Sequence, residues 1–241
     1  MVKGTQAEEV IDILMKIPKK EREKVKEVTL DMAPNMAKII TRSFPNAIRV
    51  TDRFHVQQLA YDAVQELRIK YRWEAIEEEN QQILEAKQQN KAYHPEELPN
   101  GDTPKQLLAR SRYLLFKSSS QWTLSQARRA EILFDKYPLL KTAYDLARKL
   151  GFIFEKTTDK GIAFTRLARW YDEVEKAGIE TFQTVARSIQ AHYLTILNFF
   201  NNRSTNAAAE SFNAKIKAFR AVSRGVRDIK FFLYRLTKIY A

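Results

Sequence analysis

The stretch Thr205 to Lys217 (TNAAAESFNAKIK) contains polar side chains whose types and spacing suit a charged ligand. At 3.6 residues per turn, one helix face would present a carboxylate, two amides and an ammonium group: Asn206, Glu210, Asn213 and Lys217. The opposite face would be apolar and would pack on the protein: Phe212, Ile216 and Phe219. A solvated helix face is the alternative, with Asn206 as the N-cap and Glu210 favouring the helix N-terminus.

Two further acids follow short apolar runs near the start of the chain. Val25 to Leu30 leads into Asp31, and Ala47 to Thr51 leads into Asp52, with a helical pattern over 33 to 44 between them. Strand, helix and strand in this order predict a parallel pair joined by a right-handed crossover. Both acids would then lie at the carboxyl ends of the strands, where open α/β sheets bind their ligands.

These acids are of the type that metal-assisted phosphoryl transfer requires. That chemistry uses carboxylates to hold two divalent ions about 3.5–4 Å apart. Asp31 on a strand end and Glu210 on a distant helix have the right side chains, and capping of the next helix is the alternative role for Asp31. His55, three residues after Asp52, would support the acids rather than catalyse, and a structural histidine is the alternative.

Composition favours a polyanionic partner. The chain has 41 Lys and Arg against 29 Asp and Glu, a formal charge of +12 and a pI near 9.7, so nucleic acid is the first candidate and a membrane surface the weaker one. No apolar run approaches the roughly 20 residues of a membrane span, and we expect a cytoplasmic protein. Without cysteine, any bound metal should be hard, meaning Mg²⁺ or Mn²⁺.

Most of the remaining chain has helical periodicity. One long helix is predicted over 54 to 89, followed by the loop NKAYHPEELPNGD, and further helices are predicted over 103 to 117, 123 to 136, 138 to 154, 159 to 176 and 179 to 200. Aromatic residues in the apolar stripes are expected in the core rather than on a nucleic acid: Trp122, Tyr144 and Trp170.

The end of the chain is strongly basic. From Arg203 onward there are nine Lys and Arg against two acids, in two predicted helices near 206 to 221 and 226 to 240. Such a charge run is often only a solvated helix face. Here the basic residues adjoin the Glu210 helix, which favours contact with DNA phosphates. The candidate DNA-binding residues are Lys215, Lys217, Arg220, Arg224 and Arg227.

Two quoted segments resemble one family of enzymes. LDMAPNMAKIITRSFPNAIRVTDRFHVQQ and the downstream TNAAAESFNAKIKAFRAVSRG are similar to the DDE transposases of bacterial insertion sequences of the ISL-three type, over nearly the whole chain. The resemblance implies that Asp31 is the second catalytic acid and Glu210 the third, both metal ligands. It also implies that Asp52 and His55 form the Asp-x-x-His element shared with Mutator-like transposases.

The resemblance also sets expectations for architecture. It implies a mostly α fold with a small α/β part, in which an incomplete ribonuclease-H-like sheet (strands near 25–31 and 47–52) carries a large all-helical insertion. The expected segments are 1–56 for the partial sheet, 57–203 for the insertion, and 204–241 for the helix with the last acid and the basic tail. The family's first Asp lies upstream of Asp31, and residues 1 to 24 offer no replacement, so a truncated or split frame is expected.

Three functions compete. The first is a transposase that cuts and joins DNA, at transposon ends and target, with Mg²⁺ or Mn²⁺ held by Asp31 and Glu210. The second is an inactive remnant that binds DNA or associates with itself or with a full-length transposase. The third is a helical interaction domain unrelated to DNA. Metal binding would separate the first from the others, and salt-dependent DNA affinity would separate the third from the first two.

Overall fold

Residues 6–222 and 226–240 are described by the computed structural model of this chain, which is mostly helical with one small parallel sheet. The strands are β1 (Glu27–Leu30) and β2 (Ile48–Thr51). The α-helices, in chain order, are α1 (Ala7–Leu14), α2 (Lys19–Arg22), α3 (Pro34–Ser43), α4 (Arg53–Gln88), α5 (Pro104–Arg110), α6 (Leu124–Lys136), α7 (Pro138–Lys156), α8 (Lys160–Ala177), α9 (Glu180–Ala191), α10 (Tyr193–Leu197), α11 (Phe199–Asn202), α12 (Ala207–Val222) and α13 (Ile229–Tyr240).

The chain divides into two compact units. The first combines Met1–Arg53 with Leu194–Ala241, and the second is Phe54–Tyr193. Both the sheet and the end of the chain therefore belong to the first unit, although some 140 positions separate them in sequence. The predicted mostly helical class with a small α/β part is confirmed.

The predicted strand, helix and strand near the start of the chain are present. β1 and β2 pair in parallel, with Glu27 opposite Ile48 and Leu30 opposite Thr51. α3 begins with Pro34 in its first turn, where the missing N–H costs nothing. β1 begins two residues later than predicted because the N–H of Val25 still bonds to the carbonyl of Arg22 and so completes the turn after α2.

A small apolar cluster supports this sheet. Ile11 of α1 packs with Ile39 and Ile40 of α3, and Val28 of β1 packs against the same cluster. Arg22 is buried beside it, and its guanidinium donates to the carbonyls of Ser43 and Ile17. That pair of bonds satisfies a charged group that burial would otherwise destabilise.

The second unit has the larger core. Trp170 is fully buried and its indole N–H donates to the carbonyl of Leu146 at 2.9 Å, while Tyr144 is 5% exposed and donates to the carbonyl of Lys117. Trp122 is half-buried and donates to the carbonyl of Leu114. The predicted core role of these aromatic residues is confirmed, with each polar edge satisfied as buried Trp and Tyr require.

The predicted loop after α4 contains a buried carboxylate. Asp102 is 1% exposed and accepts hydrogen bonds from Asn100, Arg110 and Arg129. Because two cations surround it, this acid holds the loop to α5 and α6 and is a structural residue. Within residues 6–222 and 226–240, no helix has both the length and the apolar character that crossing a bilayer requires.

The helix predicted over 179 to 200 is instead three helices. α9 ends at Ala191, and His192 leaves the helical region with φ −113° and ψ 13°. α10 and α11 follow as short pieces, the latter ending at Arg203 in the left-handed conformation, with φ 55°. Periodicity alone predicted one continuous helix because the apolar spacing persists across both breaks.

Candidate active site at the strand ends

Asp31 and Asp52 lie next to each other at the carboxyl ends of the two strands. Each residue directly follows its strand, and the Asp52 N–H donates to the Leu30 carbonyl at 2.9 Å. Neighbouring strands are about 4.8 Å apart, so the two backbones are adjacent at this edge. The structure thus brings together the two acids that the sequence placed at strand ends.

Asp31 is half-buried and begins a tight turn into α3. One of its carboxylate oxygens accepts the Ala33 N–H at 3.0 Å. This bond is of the capping type that the sequence left open as an alternative. A carboxylate can accept at several further positions on its two oxygens, so the turn does not exhaust the capacity of Asp31 to bind a cation.

Asp52 is the buried member of the pair. It is 2% exposed, and its carboxylate accepts the backbone N–H of Asn206 at 3.3 Å. That hydrogen bond joins the end of β2 to a residue 154 positions later in the chain. Burying an anion is costly unless hydrogen bonds compensate, so this contact fixes both partners.

The same contact brings Glu210 toward the strand ends. The Asn206 carbonyl accepts the Glu210 N–H at 2.9 Å, so Asn206 is the N-cap of α12 and Glu210 lies one turn into the helix. One helical turn spans about 5.4 Å. Asn206 therefore occupies the N-cap position that the sequence predicted, and its backbone N–H joins the acid-bearing helix to Asp52. Glu210 itself is exposed.

Several residues that position this edge were missed from the sequence. Asn198 donates its side-chain amide to the Arg49 carbonyl at 3.0 Å, and the hydroxyls of Thr195 and Thr51 are 2.7 Å apart. Asn202 donates to the carboxylate of Glu27. These contacts tie α10 and α11 to the strands immediately before α12 begins. The four asparagines between positions 198 and 206 were the sequence feature that could have indicated these contacts.

A buried aromatic ring close to two cations lies in the same segment of the chain as Asn198. Phe199 is 1% exposed, with the Arg203 guanidinium 5.3 Å and the Arg53 guanidinium 6.0 Å from its ring centre. Cations over an aromatic face are attracted to it, more strongly where water is excluded. The two arginines therefore place positive charge in the same unit as Asp31 and Asp52.

The other predicted site residues are distributed more widely. His55 lies on α4, half-buried and edge-on to the ring of Phe54 at 5.8 Å. Several are exposed on α12 or just before α13: Asn213, Lys215, Lys217, Arg220 and Arg227. Arg224 lies outside the described residues.

The apolar side of α12 differs from the prediction. None of its residues is buried, and Phe212 is 45% exposed. Phe219 instead stacks on Phe232 of α13, with ring centres 5.4 Å apart and planes at 25°. The apolar spacing identified the side of α12 that contacts the protein. That side packs against α13 through Phe219 and not into a buried core.

The donors at this edge suit a hard cation in kind. Carboxylate and amide oxygens are the ligands that Mg²⁺ and Mn²⁺ prefer. In the part of the chain that the structure describes, however, no group of three or more His, Asp or Glu residues is arranged to hold a metal ion. The acids that directly follow the two strands are Asp31 and Asp52.

Comparison with known proteins identifies the family. The family model for DDE transposases of the ISL3 (ISL-three) type, described as "Transposase", matches residues 1–236. The transposase for insertion sequence element IS1557 of Mycobacterium tuberculosis is 26% identical over 208 residues, covering 85% of this chain and 45% of that protein. The transposase for IS1001 of Bordetella parapertussis is 24% identical over 222 residues, or 91% and 48% of the two chains.

The match has a clear extent. The chain spans about half the length of the curated relatives it matches. No solved structure matches it. Since the family model covers nearly the whole sequence, including both strand-end acids and the helix with Glu210, this chain belongs to the ISL-three type of DDE transposases.

Proposed function

We propose that this chain supplies Asp31 and Glu210 to the active site of a transposase that cuts and joins DNA strands by two-metal phosphoryl transfer. One observation carries the proposal: the hydrogen bond between Asp52 and Asn206 starts the Glu210 helix at the strand edge that Asp31 occupies. With strands about 4.8 Å apart and one helical turn of about 5.4 Å, we expect the Asp31 and Glu210 carboxylates within roughly 10 Å of each other.

The residues at this edge would have distinct roles. Asp31 and Glu210 would hold Mg²⁺ or Mn²⁺, which when bound would activate the attacking oxygen and stabilise the leaving one. Asp52 is a positioning residue, because its buried carboxylate orients the N-terminus of α12. Asn206 and Asn213 would provide polar support around the acids. The first unit would be the ribonuclease-H-like part and the second the all-helical insertion.

DNA would approach through the basic helices at the end of the chain. The exposed cations there form a surface that can neutralise phosphates without reading base sequence. The substitutions that test this are Lys215→Ala, Lys217→Ala, Arg220→Ala and Arg224→Ala together. A matched control removes four cations exposed on the second unit: Lys70, Arg128, Lys156 and Lys176.

We expect the first set to weaken binding to every duplex sequence and to flatten the salt dependence by about one unit per lost phosphate contact. The control set should leave the slope nearly unchanged. If both sets act alike, then only net charge matters and the basic helices are not the DNA surface.

Asp31 and Glu210 are two acids, and the chain spans about half the length of the curated relatives it matches. We propose that strand cleavage uses a further carboxylate from another segment of a transposase. The need for a further carboxylate also suggests a second function. In that function the chain is a DNA-binding module, inactive by itself, that associates with itself or with a complete transposase.

Iron-directed cleavage tests the shared metal site without requiring catalysis. Fe²⁺ with ascorbate and peroxide should cut the chain near residue 31 and near residue 210 if one ion lies between them. Asp31→Asn and Glu210→Gln should each abolish both cuts, whereas Asp145→Asn, which alters an exposed ion pair with Lys141, should change neither. Cuts at only one position, or cuts that survive both substitutions, would remove the basis for the proposed site.

Activity separates the two functions. The chain is assayed on insertion-sequence end DNA with Mg²⁺, alone and together with the part of the IS1557 transposase that lies outside the matched region. Cleavage in the mixture that is lost on Glu210→Gln supports the enzyme. Binding and iron cuts without cleavage in any mixture favour the inactive module.

A further inference from the structure

Helix α13 exposes two aromatic side chains on its solvent side. Phe231 is 58% exposed and Tyr234 is 59% exposed, although Phe is among the types most often buried and Tyr is usually at least partly buried. They are three positions apart, so they are neighbours on one face, with about 5–6 Å between their Cβ atoms. An exposed aromatic pair of this kind needs an explanation beyond the packing of α13.

The packing of α13 is achieved by its other side. Leu236 is 2% exposed, and Phe232 stacks on Phe219 of α12. At 100° per residue, Phe231 and Tyr234 lie on the side opposite to Leu236. The two aromatic residues can therefore be changed without disturbing the contact between the helices.

Positive charge surrounds the pair. Lys238 lies one turn beyond Tyr234 on the same side, with its ammonium 5.8 Å from the centre of that ring. Arg235 is held over Phe219 at 5.3 Å, and Lys230 precedes Phe231. All three cations are exposed. Asp228 is the one acid in the described part of α13 and the turn before it. A polyanion with exposed flat apolar faces is the ligand that complements this surface.

We propose that this face, formed by Phe231, Tyr234 and Lys238, binds single-stranded DNA by stacking unpaired bases on the two rings. Base stacking on aromatic side chains is tolerant of sequence, and flanking cations follow the phosphates. A DNA duplex keeps its base faces stacked on each other, so it would use only the cations. This inference rests on the proposed function, because cutting DNA strands creates unpaired ends.

A surface for a second copy of the chain is less consistent with these observations. Two copies related by a two-fold axis would bring Lys230, Arg235 and Lys238 of each close to the same residues of the other. Like charges placed opposite each other disfavour such a contact. A nucleic acid strand instead supplies negative charge beside every base.

The test compares two fluorescent probes bound by the full chain. One is a single strand of thymidines of roughly 20 nucleotides, longer than typical binding sites of about 4–16, and the other is a duplex of equal length. Phe231→Ala with Tyr234→Ala removes both stacking faces and should weaken binding to the single strand about 30-fold or more, which is about 2 kcal/mol at 1.4 kcal/mol per factor of ten. Duplex binding should change less than about twofold by the same reasoning.

Two variants serve as controls. Phe231→Trp with Tyr234→Trp keeps two aromatic faces and should retain single-strand binding. Phe164→Ala, which removes a ring 56% exposed on the second unit, should leave both affinities unchanged. Circular dichroism should show equal helix content in all variants, since Phe232 and Leu236 are intact.

The outcomes separate this inference from the proposed function. If the alanine pair binds the single strand as tightly as the unchanged chain, or loses both probes equally, stacking is wrong while duplex binding with steep salt dependence still supports the transposase. If the unchanged chain is a dimer that the alanine pair converts to a monomer with no loss of single-strand affinity, the face is a contact between copies. If the unchanged chain binds neither probe, the proposed DNA-binding function is wrong, and the stacking proposal that rests on it is wrong too.

Discussion

Asp52→Asn should loosen the start of α12 more than any other part of the protein. The carboxylate is 2% exposed and accepts the Asn206 N–H, while the backbone of the same residue donates to Leu30. Asparagine has nearly the same shape and keeps one acceptor oxygen. It loses the negative charge and introduces an NH₂ group at a buried position.

The size of the effect follows from these contacts. A hydrogen bond to a charged group contributes about 1.5–3 kcal/mol and a neutral one about 0.5–1.5, and an unsatisfied buried donor costs a further 1–3. We expect a loss of about 2 kcal/mol in the free energy of unfolding. For a chain of this size each kcal/mol lowers the melting temperature by roughly 2–4 °C, so the expected shift is about 4–8 °C.

Amide hydrogen exchange gives the local measurement. If the Asp52 bond anchors α12, a loss of about 2 kcal/mol should speed exchange at residues 206–210 by roughly 30-fold, since 1.4 kcal/mol is a factor of ten. The amides of α7 in the second unit should change little. Asp145→Asn is the matched control, because its ion pair with Lys141 is 54% exposed and contributes about 0.5 kcal/mol or less.

A uniform loss of protection over both units would mean that Asp52 contributes only global stability. Unchanged exchange at residues 206–210 would be more serious, because it would separate Glu210 from the strand edge. In either case Asp52 would lose its assigned positioning role, and in the second case the proposed active site would lose its supporting contact.

Three further changes test the second unit. Burial disfavours ionisation of Asp102, but hydrogen bonds from Arg129 and Arg110 outweigh it and hold its pKa below the usual 3.8. The stabilisation that ionised Asp102 provides is therefore complete above about pH 4 and is lost as pH falls through the folded pKa. In urea unfolding at neutral pH, Asp102→Asn should lower the free energy of unfolding by about 2–3 kcal/mol. In strong acid the free energies of unfolding of the variant and the unchanged chain should become similar. Trp170→Phe leaves a main-chain carbonyl unpaired beside a cavity and should cost about 2–4 kcal/mol in the same assay, with equal stabilities contradicting the burial of the indole. Gly178→Ala places a side chain at φ 63° with open space around it, so strain alone should cost about 1 kcal/mol, and a larger loss would indicate a clash that the structure does not show.

Local sequence signals determined most of the elements and the identity of the acids. Two short apolar runs on either side of a helical pattern, with Pro34 at the start of α3, predicted the parallel strand pair and the strand-end positions of Asp31 and Asp52. The spacing of Asn206 and Glu210 predicted a helix whose cap and acid share a face. These features depend on neighbours within a few residues, where steric and capping preferences act directly.

Only the tertiary structure brought the two halves of the candidate site together. The bond from Asn206 to Asp52 spans 154 positions, that from Asn198 to Arg49 spans 149, and the hydroxyl pair of Thr51 and Thr195 spans 144. No periodicity reports such pairs, because they depend on where the chain returns after the helices between them. The short helices α10 and α11 could not be predicted for the same reason. The helix breaks let Thr195 and Asn198 reach the strands. Their long-range hydrogen bonds offset the helical hydrogen bonds that are lost at the breaks.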